Sequence, residues 1–260
     1  SIMRGTDGEQ ATSLIVAGSA FLITIGRGAR SSAMPLQWLR RNWKIVAVLA
    51  IGVYFAAGAF TSRKADRLGT IESACTVRRT ICADQDAAVI GWMDERSKFG
   101  ISFFILTVTQ GFYGLELGLE KDFKSTWGFG HSPVLLSIYT NLTGDDTPYE
   151  RAYTTRNNFQ GWSDRNYWSS MLLWVANDVG FLGTIAVIGL LGFIWGRSWR
   201  DAVYGMNDSA AILFCLIMVM LFYLPANNQV FATLDGYTSF YGWLFVWQLN
   251  KIKAASARKA

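Results

Sequence analysis

Apolar runs separated by basic or aromatic stretches set the layout of this chain. The runs cover Ala11 to Gly26, Ile45 to Phe60, Val179 to Trp195, Ala210 to Leu224 and Tyr237 to Leu249. Each reaches about 20 residues once its flanking Trp, Tyr and small residues are counted, which predicts spanning helices. No stretch sustains a period of two, and no segment repeats. The expected fold class is therefore all-α, a polytopic transmembrane helical bundle with a long extracytoplasmic loop region. Residues 1–60 would hold transmembrane helices and a basic cytoplasmic loop, 61–170 the extracytoplasmic loop region, and 171–260 three transmembrane helices and a basic tail.

Charge orients these runs. Arg27, Arg30, Arg40, Arg41 and Lys44 lie between the first two with no acid among them. Arg197 and Arg200 follow the third, and Lys251, Lys253, Arg258 and Lys259 follow the last. Positive residues stay on the cytoplasmic side, so everything from Thr61 to about Ser170 is expected outside. Phe99 to Leu119 is the ambiguous stretch, because Phe99, Ile101, Phe103 and Phe104 suit a membrane whereas Gln110, Glu116 and Glu120 do not. An interfacial or re-entrant helix, or a paired crossing with His131 to Tyr139, keeps the charge rule; a single crossing breaks it.

Composition agrees with a membrane class: 51% of residues are hydrophobic and 15% aromatic, with mean hydropathy +0.22. The net charge of +5 would suit nucleic acid, but the basic residues sit beside apolar runs, so nucleic acid is not an expected partner and membrane lipids are. The sequence begins at Ser1 and is apolar by Leu14, which reads as a portion of a longer membrane protein, without a signal peptide. Cys75 and Cys82 either close a small disulfide loop outside the cytoplasm or remain free thiols. Cys215 lies in an apolar run.

Candidate chemistry gathers between Lys121 and Ser170. The single histidine, His131, sits in Trp127-Gly128-Phe129-Gly130-His131-Ser132-Pro133. Pro133 can open a helix, placing His131 near its N-terminus as a general base or as a structural cap. Arg151, Arg156 and Arg165 can present guanidinium forks to a diphosphate, with Trp162 among the rings offering faces to sugars; the alternative is an interfacial belt paired with Glu150 and Asp164. Asn177-Asp178 is a polar pair inside an apolar run. A carboxylate there is expensive, so Asp178 is expected to accept a hydroxyl proton, orient His131, pair with an arginine, or join two helices. Asn227 and Asn228, after Pro225, can cap helices or bind sugar hydroxyls. With one histidine a multi-His metal site is excluded, and Asp84-Gln85-Asp86, despite its DxD form, reads as a solvated turn. No metal and no cofactor are expected.

Several short words in order carry a family resemblance: Gly114-Leu115-Glu116 with Lys121-Asp122-Phe123, Gly128-Phe129-Gly130-His131-Ser132, Asn177-Asp178-Val179-Gly180-Phe181-Leu182-Gly183, and Pro225-Ala226-Asn227-Asn228-Gln229. In this layout the chain resembles the C-terminal portion of bacterial oligosaccharide repeat-unit polymerases, in the O-antigen polymerase and ligase group. The resemblance implies a multi-pass protein of the bacterial inner membrane, a glycosyltransferase that polymerises undecaprenyl-diphosphate-linked oligosaccharide at the periplasmic face, with a chain-length regulator protein as a candidate partner. It implies Arg151, Arg156 and Arg165 for the diphosphate and His131 beside them. Gly26-Arg27-Gly28 is the nearest counterpart of a Ser-Arg-Gly in that group and carries no role here. The competing expectations are a transporter or flippase for an anionic lipid-linked sugar, which needs a polar lane through several spans, and a non-catalytic structural membrane subunit.

Overall fold

A computed structural model describes residues 6–29, 43, 47, 82, 84, 87–88, 90–164 and 167–257. The expected span Ile45 to Phe60 apart from residue 47, most of the basic loop before it, Cys75 and Arg165 lie outside the described residues. The described elements are helices: α1 (Thr6–Ala29), α2 (Glu95–Leu119), α3 (Pro133–Thr143), α4 (Thr147–Arg151), α5 (Tyr153–Arg156), α6 (Met171–Val203), α7 (Asp208–Tyr223) and α8 (Leu234–Ala257), with 3-10 turns at Asn157–Gln160 and Val230–Ala232. Two of them, α1 over Ala11–Gly28 and α6, are long and apolar enough to cross a bilayer, and α7 is apolar but shorter.

By contacts the chain forms two units, Ser1–Ala33 with Gly111–Ala260, and Met34–Gln110. In the second unit, Asp94 opens α2 by accepting from the Ser97 amide at 3.0 Å, an N-cap in which the side chain takes a helix donor that has no carbonyl partner. Phe99, Phe103 and Leu106 recur at helical spacing and are buried, with the two rings 6.1 Å apart. Cys82 is disulfide-bonded.

In the first unit α7 is the central helix, packed against α1, α6 and α8. Its hydrophobicity runs all round, as a buried helix requires, and Leu213, Ile217 and Met220 are fully enclosed. Phe214 stacks on Trp195 at 5.9 Å and meets Trp199 at 5.1 Å. Polar clamps close one end of this bundle. Arg27 donates to the Ala202 carbonyl at 2.8 Å and pairs with Asp208 at 3.0 Å, while Trp247 and Lys251 reach Asp201 at 3.1 Å and 3.4 Å. Cations near the last turn of α6 also oppose its negative dipole end.

The other end of the bundle is covered by the polar, aromatic segment. The C-terminal half of α2 comes so close to the chain that a Cβ on Gly111 would overlap the Pro225 and Ala226 carbonyls. The Gly111 and Gly114 carbonyls accept from Ser170 N at 3.1 Å and Asn157 Nδ2 at 2.8 Å. Tyr153 packs with Leu173 and Ala176 on α6. The long helices also leave apolar side chains uncovered: Leu182 is 85% exposed, and Ile185, Phe193, Phe245 and Ile252 are exposed as well.

Candidate functional site

The site begins with a break in α6. Ser170 caps the helix by accepting from the Leu173 amide at 3.4 Å, and the first two turns bring in Asn177 and Asp178. Two residues later Gly180 adopts φ 68°, ψ 175°, a region open only to glycine. The interruption frees backbone near it for other partners: the Asn177 carbonyl accepts from Thr126 N at 3.2 Å, and the Asp178 carbonyl from Ser125 Oγ at 3.4 Å.

The loop before α3 wraps the Asp178 carboxylate. Oδ1 accepts from Thr126 Oγ1 and from the amides of Gly128 and Gly130, the two amides each at 2.9 Å. Oδ2 accepts from the His131 amide at 2.8 Å and meets its Nδ1 at 2.9 Å. Backbone N–H groups curled around one point form an anion nest, and this nest is filled by the chain's own carboxylate. Every partner is a donor, a pattern satisfied by the ionised form. Positive φ at Trp127 (58°) and Gly128 (88°) turns the amides inward, and a Cβ on Gly130 would collide with Thr126 and Asn177. Asn177 locks the wrap from beneath, donating to the Gly130 carbonyl at 2.9 Å and accepting from Tyr153 N at 2.8 Å.

His131 is thereby fixed in ring orientation and tautomer. With Asp178 accepting from Nδ1–H, the neutral imidazole presents its lone pair at Nε2. That atom is buried and has no hydrogen-bond partner. Phe231 meets the imidazole edge-on at 5.7 Å, and Tyr237 lies 6.0 Å away. Two bonds tie the histidine to the segment after α7: Asn228 Nδ2 donates to the His131 carbonyl, and Ser132 Oγ donates to the Phe231 carbonyl at 2.7 Å. Asn227 accepts from the Asn228 amide at 2.8 Å. Ser132 also caps α3, accepting from Leu135 N at 3.3 Å, with Pro133 at the first position as the sequence predicts.

His131 and Asp178 head a cavity of about 300 Å³ between α6, α7 and α8. Beyond them its wall is almost entirely hydrocarbon, including Val175, Leu190, Leu191, Ile194 and Met220. Leu190 and Tyr241 are exposed along its rim, so it is a groove open at the side. Its lining from Val179 to Ile194 runs roughly 22 Å along α6 at about 1.5 Å per residue.

Arg151 and Arg156 contact the loop and do not line the groove. Arg156 donates to the Asp122 carboxylate at 2.7 Å and to its carbonyl at 2.6 Å, with its guanidinium 5.0 Å from the Tyr153 ring. This hydrogen bond holds the Asp122 carboxyl below the usual carboxylate range, helped by Lys124. Lys121, lowered by burial and then by Arg156, donates to the Leu117 carbonyl at 2.9 Å and to Asn157 Oδ1 at 2.8 Å. Arg151 lies 4.8 Å over the Trp127 ring, a cation–π contact. It lines a separate hollow of about 540 Å³ with Lys124, Thr147 and Glu150. Trp162 is 2% exposed, stacked on Tyr167 at 4.3 Å and donating to the Trp168 carbonyl at 3.1 Å; its faces serve packing.

The structure thus gathers His131, Asp178, Asn177, Asn227 and Asn228 around one loop, with Arg151 and Arg156 on the loop's flank. Sequence reasoning missed Phe231, Tyr237 and Tyr241, which line or approach the groove; their aromatic spacing looks like an ordinary interfacial belt. Among the described residues no three His, Cys, Asp or Glu side chains cluster to hold a metal. Comparison of the chain with protein-family models, curated proteins and solved structures gives no match.

Proposed function

We propose that this chain is a multi-pass glycosyltransferase of the bacterial inner membrane, joining undecaprenyl-diphosphate-linked oligosaccharide units at the periplasmic face. The observation that carries the reading is the His131–Asp178 pair, with a buried, unpartnered Nε2 at the head of a hydrocarbon groove. An oriented histidine with an unpartnered acceptor atom suits a general base, and a side-opening apolar groove suits the chain of a lipid substrate. Exposed Leu182, Ile185 and Phe193 are the side chains a bilayer would cover. Arg197, Arg200, Lys251 and Lys253 at the opposite end from His131 fit a cytoplasmic face. The disulfide at Cys82 fits an oxidising exterior.

In the reaction an acceptor sugar hydroxyl gives its proton to His131 Nε2 while its oxygen bonds to the anomeric carbon of a second unit. The bond from that carbon to the diphosphate oxygen breaks, and the lipid diphosphate leaves with the electron pair. Asp178 offsets the positive charge forming on the imidazole. Arg151 and Lys124, beside the loop, supply positive potential toward the leaving group. A transporter would need a polar lane, and the groove beyond His131 is hydrocarbon.

The test is a product ladder from lipid-linked repeat units incubated with membranes containing the protein. His131→Ala is expected to lower elongation by about 10²-fold or more with insertion unchanged. A normal ladder from that variant would sink the assignment.

A further inference from the structure

The groove holds one more polar group, which the reaction above leaves unused. Of the side chains lining it, only His131, Asp178 and Tyr241 carry nitrogen or oxygen. The two Asp178 oxygens are taken by the loop. A ligand's polar head therefore meets two groups there, His131 Nε2 and the Tyr241 hydroxyl. Tyr241 stands one ring away from the histidine: it stacks on Phe231 at 5.9 Å and 17°, and Phe231 is edge-on to His131. Tyr237, one helical turn earlier on α8, packs against it at 4.7 Å between ring centroids. With 42% of its surface exposed on the groove rim, Tyr241 sits where an apolar chain would end and a head group begin, the place an amphipathic ring favours.

These two groups have opposite chemistry. With Nδ1 turned to Asp178, His131 Nε2 offers a lone pair to a hydroxyl proton. Tyr241 can donate, and a neutral donor beside hydrocarbon recognises a charged oxygen strongly. Resting on the lipid-diphosphate reading above, we infer that Tyr241 is a substrate-contacting residue whose hydroxyl donates to the lipid diphosphate at the groove mouth, while His131 takes the sugar hydroxyl. The site is thereby divided into an accepting and a donating wall, and Tyr241 distinguishes a lipid diphosphate from the corresponding uncharged alcohol.

The test is binding of two probes, undecaprenyl diphosphate and undecaprenol, to the whole chain in lipid nanodiscs. Tyr241→Phe keeps the ring, its stacking and the groove wall, and removes only the hydroxyl. Its affinity for the diphosphate is expected to fall about tenfold, the size of one hydrogen bond to a charged group. Its affinity for the alcohol should stay within roughly the twofold range of an unaffected contact. Unchanged diphosphate affinity, or an equal loss for both probes, overturns the role of Tyr241. A wild-type protein that binds the diphosphate no better than the alcohol overturns the lipid-diphosphate reading together with it.

Discussion

At the scale of single residues, Asp178 is the residue on which the others depend. Its carboxylate collects Thr126, two glycine amides, and both the amide and the ring of His131. Asp178→Asn replaces one acceptor oxygen by a donor and sets it against the loop's N–H groups, so this variant should unfold with a loss of about 3–5 kcal/mol, read by denaturant titration in detergent. His131→Gln, by contrast, removes the ring while the amide bond to Asp178 stays, and stability should change by less than about 2 kcal/mol. Gly180→Ala forces a side chain into a backbone region reserved for glycine and should cost about 1–3 kcal/mol. The sequence made Asp178 legible because a carboxylate within an apolar run needs a reason, and His131 because it is the single histidine and stands two residues before Pro133. The amide wrap was not legible, since backbone donors leave no residue-type signature. Nor was the break at Gly180, since glycines are common in close-packed spanning helices.

The loop before α3 is joined to its neighbours by short polar ties, whereas the long helices meet through apolar packing. Ser132 is both the cap of α3 and the link to Phe231. Ser132→Ala should lower stability by about 1–2 kcal/mol through the lost cap, seen as a lower melting temperature. On the loop's other flank Arg156 and Asp122 join the α5 turn to the residues after α2. Because the Asp122 carboxyl is held below its ordinary value, its contribution is present above the usual Asp pKa and fades as pH falls through the depressed one. NMR titration of the Asp122 carboxyl should place its midpoint below that of a free Asp, and Arg156→Ala should move it upward. Apolar runs foretold both ends of α7 and the start of α8 to within about a turn, since hydropathy records where apolar residues gather. The run Val179 to Trp195 fell eight residues short of α6 at each end, because the polar pair Asn177-Asp178 and the basic residues Arg197 and Arg200 interrupt the apolar signal. The short helices α4 and α5 escaped notice because a five-residue helix is held by its surroundings and not by its own periodicity.

For the whole molecule, the governing fact is which apolar surfaces remain uncovered. Leu182 and Ile185 are both exposed on α6. Leu182→Asp should reduce membrane insertion at a cost of about 2.5–3.5 kcal/mol, measured by carbonate extraction, whereas a water-exposed position would tolerate the change. Sequence hydropathy gave this surface its class, but it carried no information on how the loop would fold back onto the bundle end. That depends on contacts such as Thr126 to Asn177 that join distant parts of the chain. The break at Gly180 divides α6 into pieces with separate duties. Before it, two turns belong mechanically to the loop cap; after it, Phe181 to Val203 extends roughly 34 Å at about 1.5 Å per residue, close to the 30 Å or so of a hydrocarbon core. A change of tilt in the second piece, to suit a thicker or thinner membrane, would turn about the glycine as a joint. The histidine and its carboxylate would keep their distance while the anchor below them adapts.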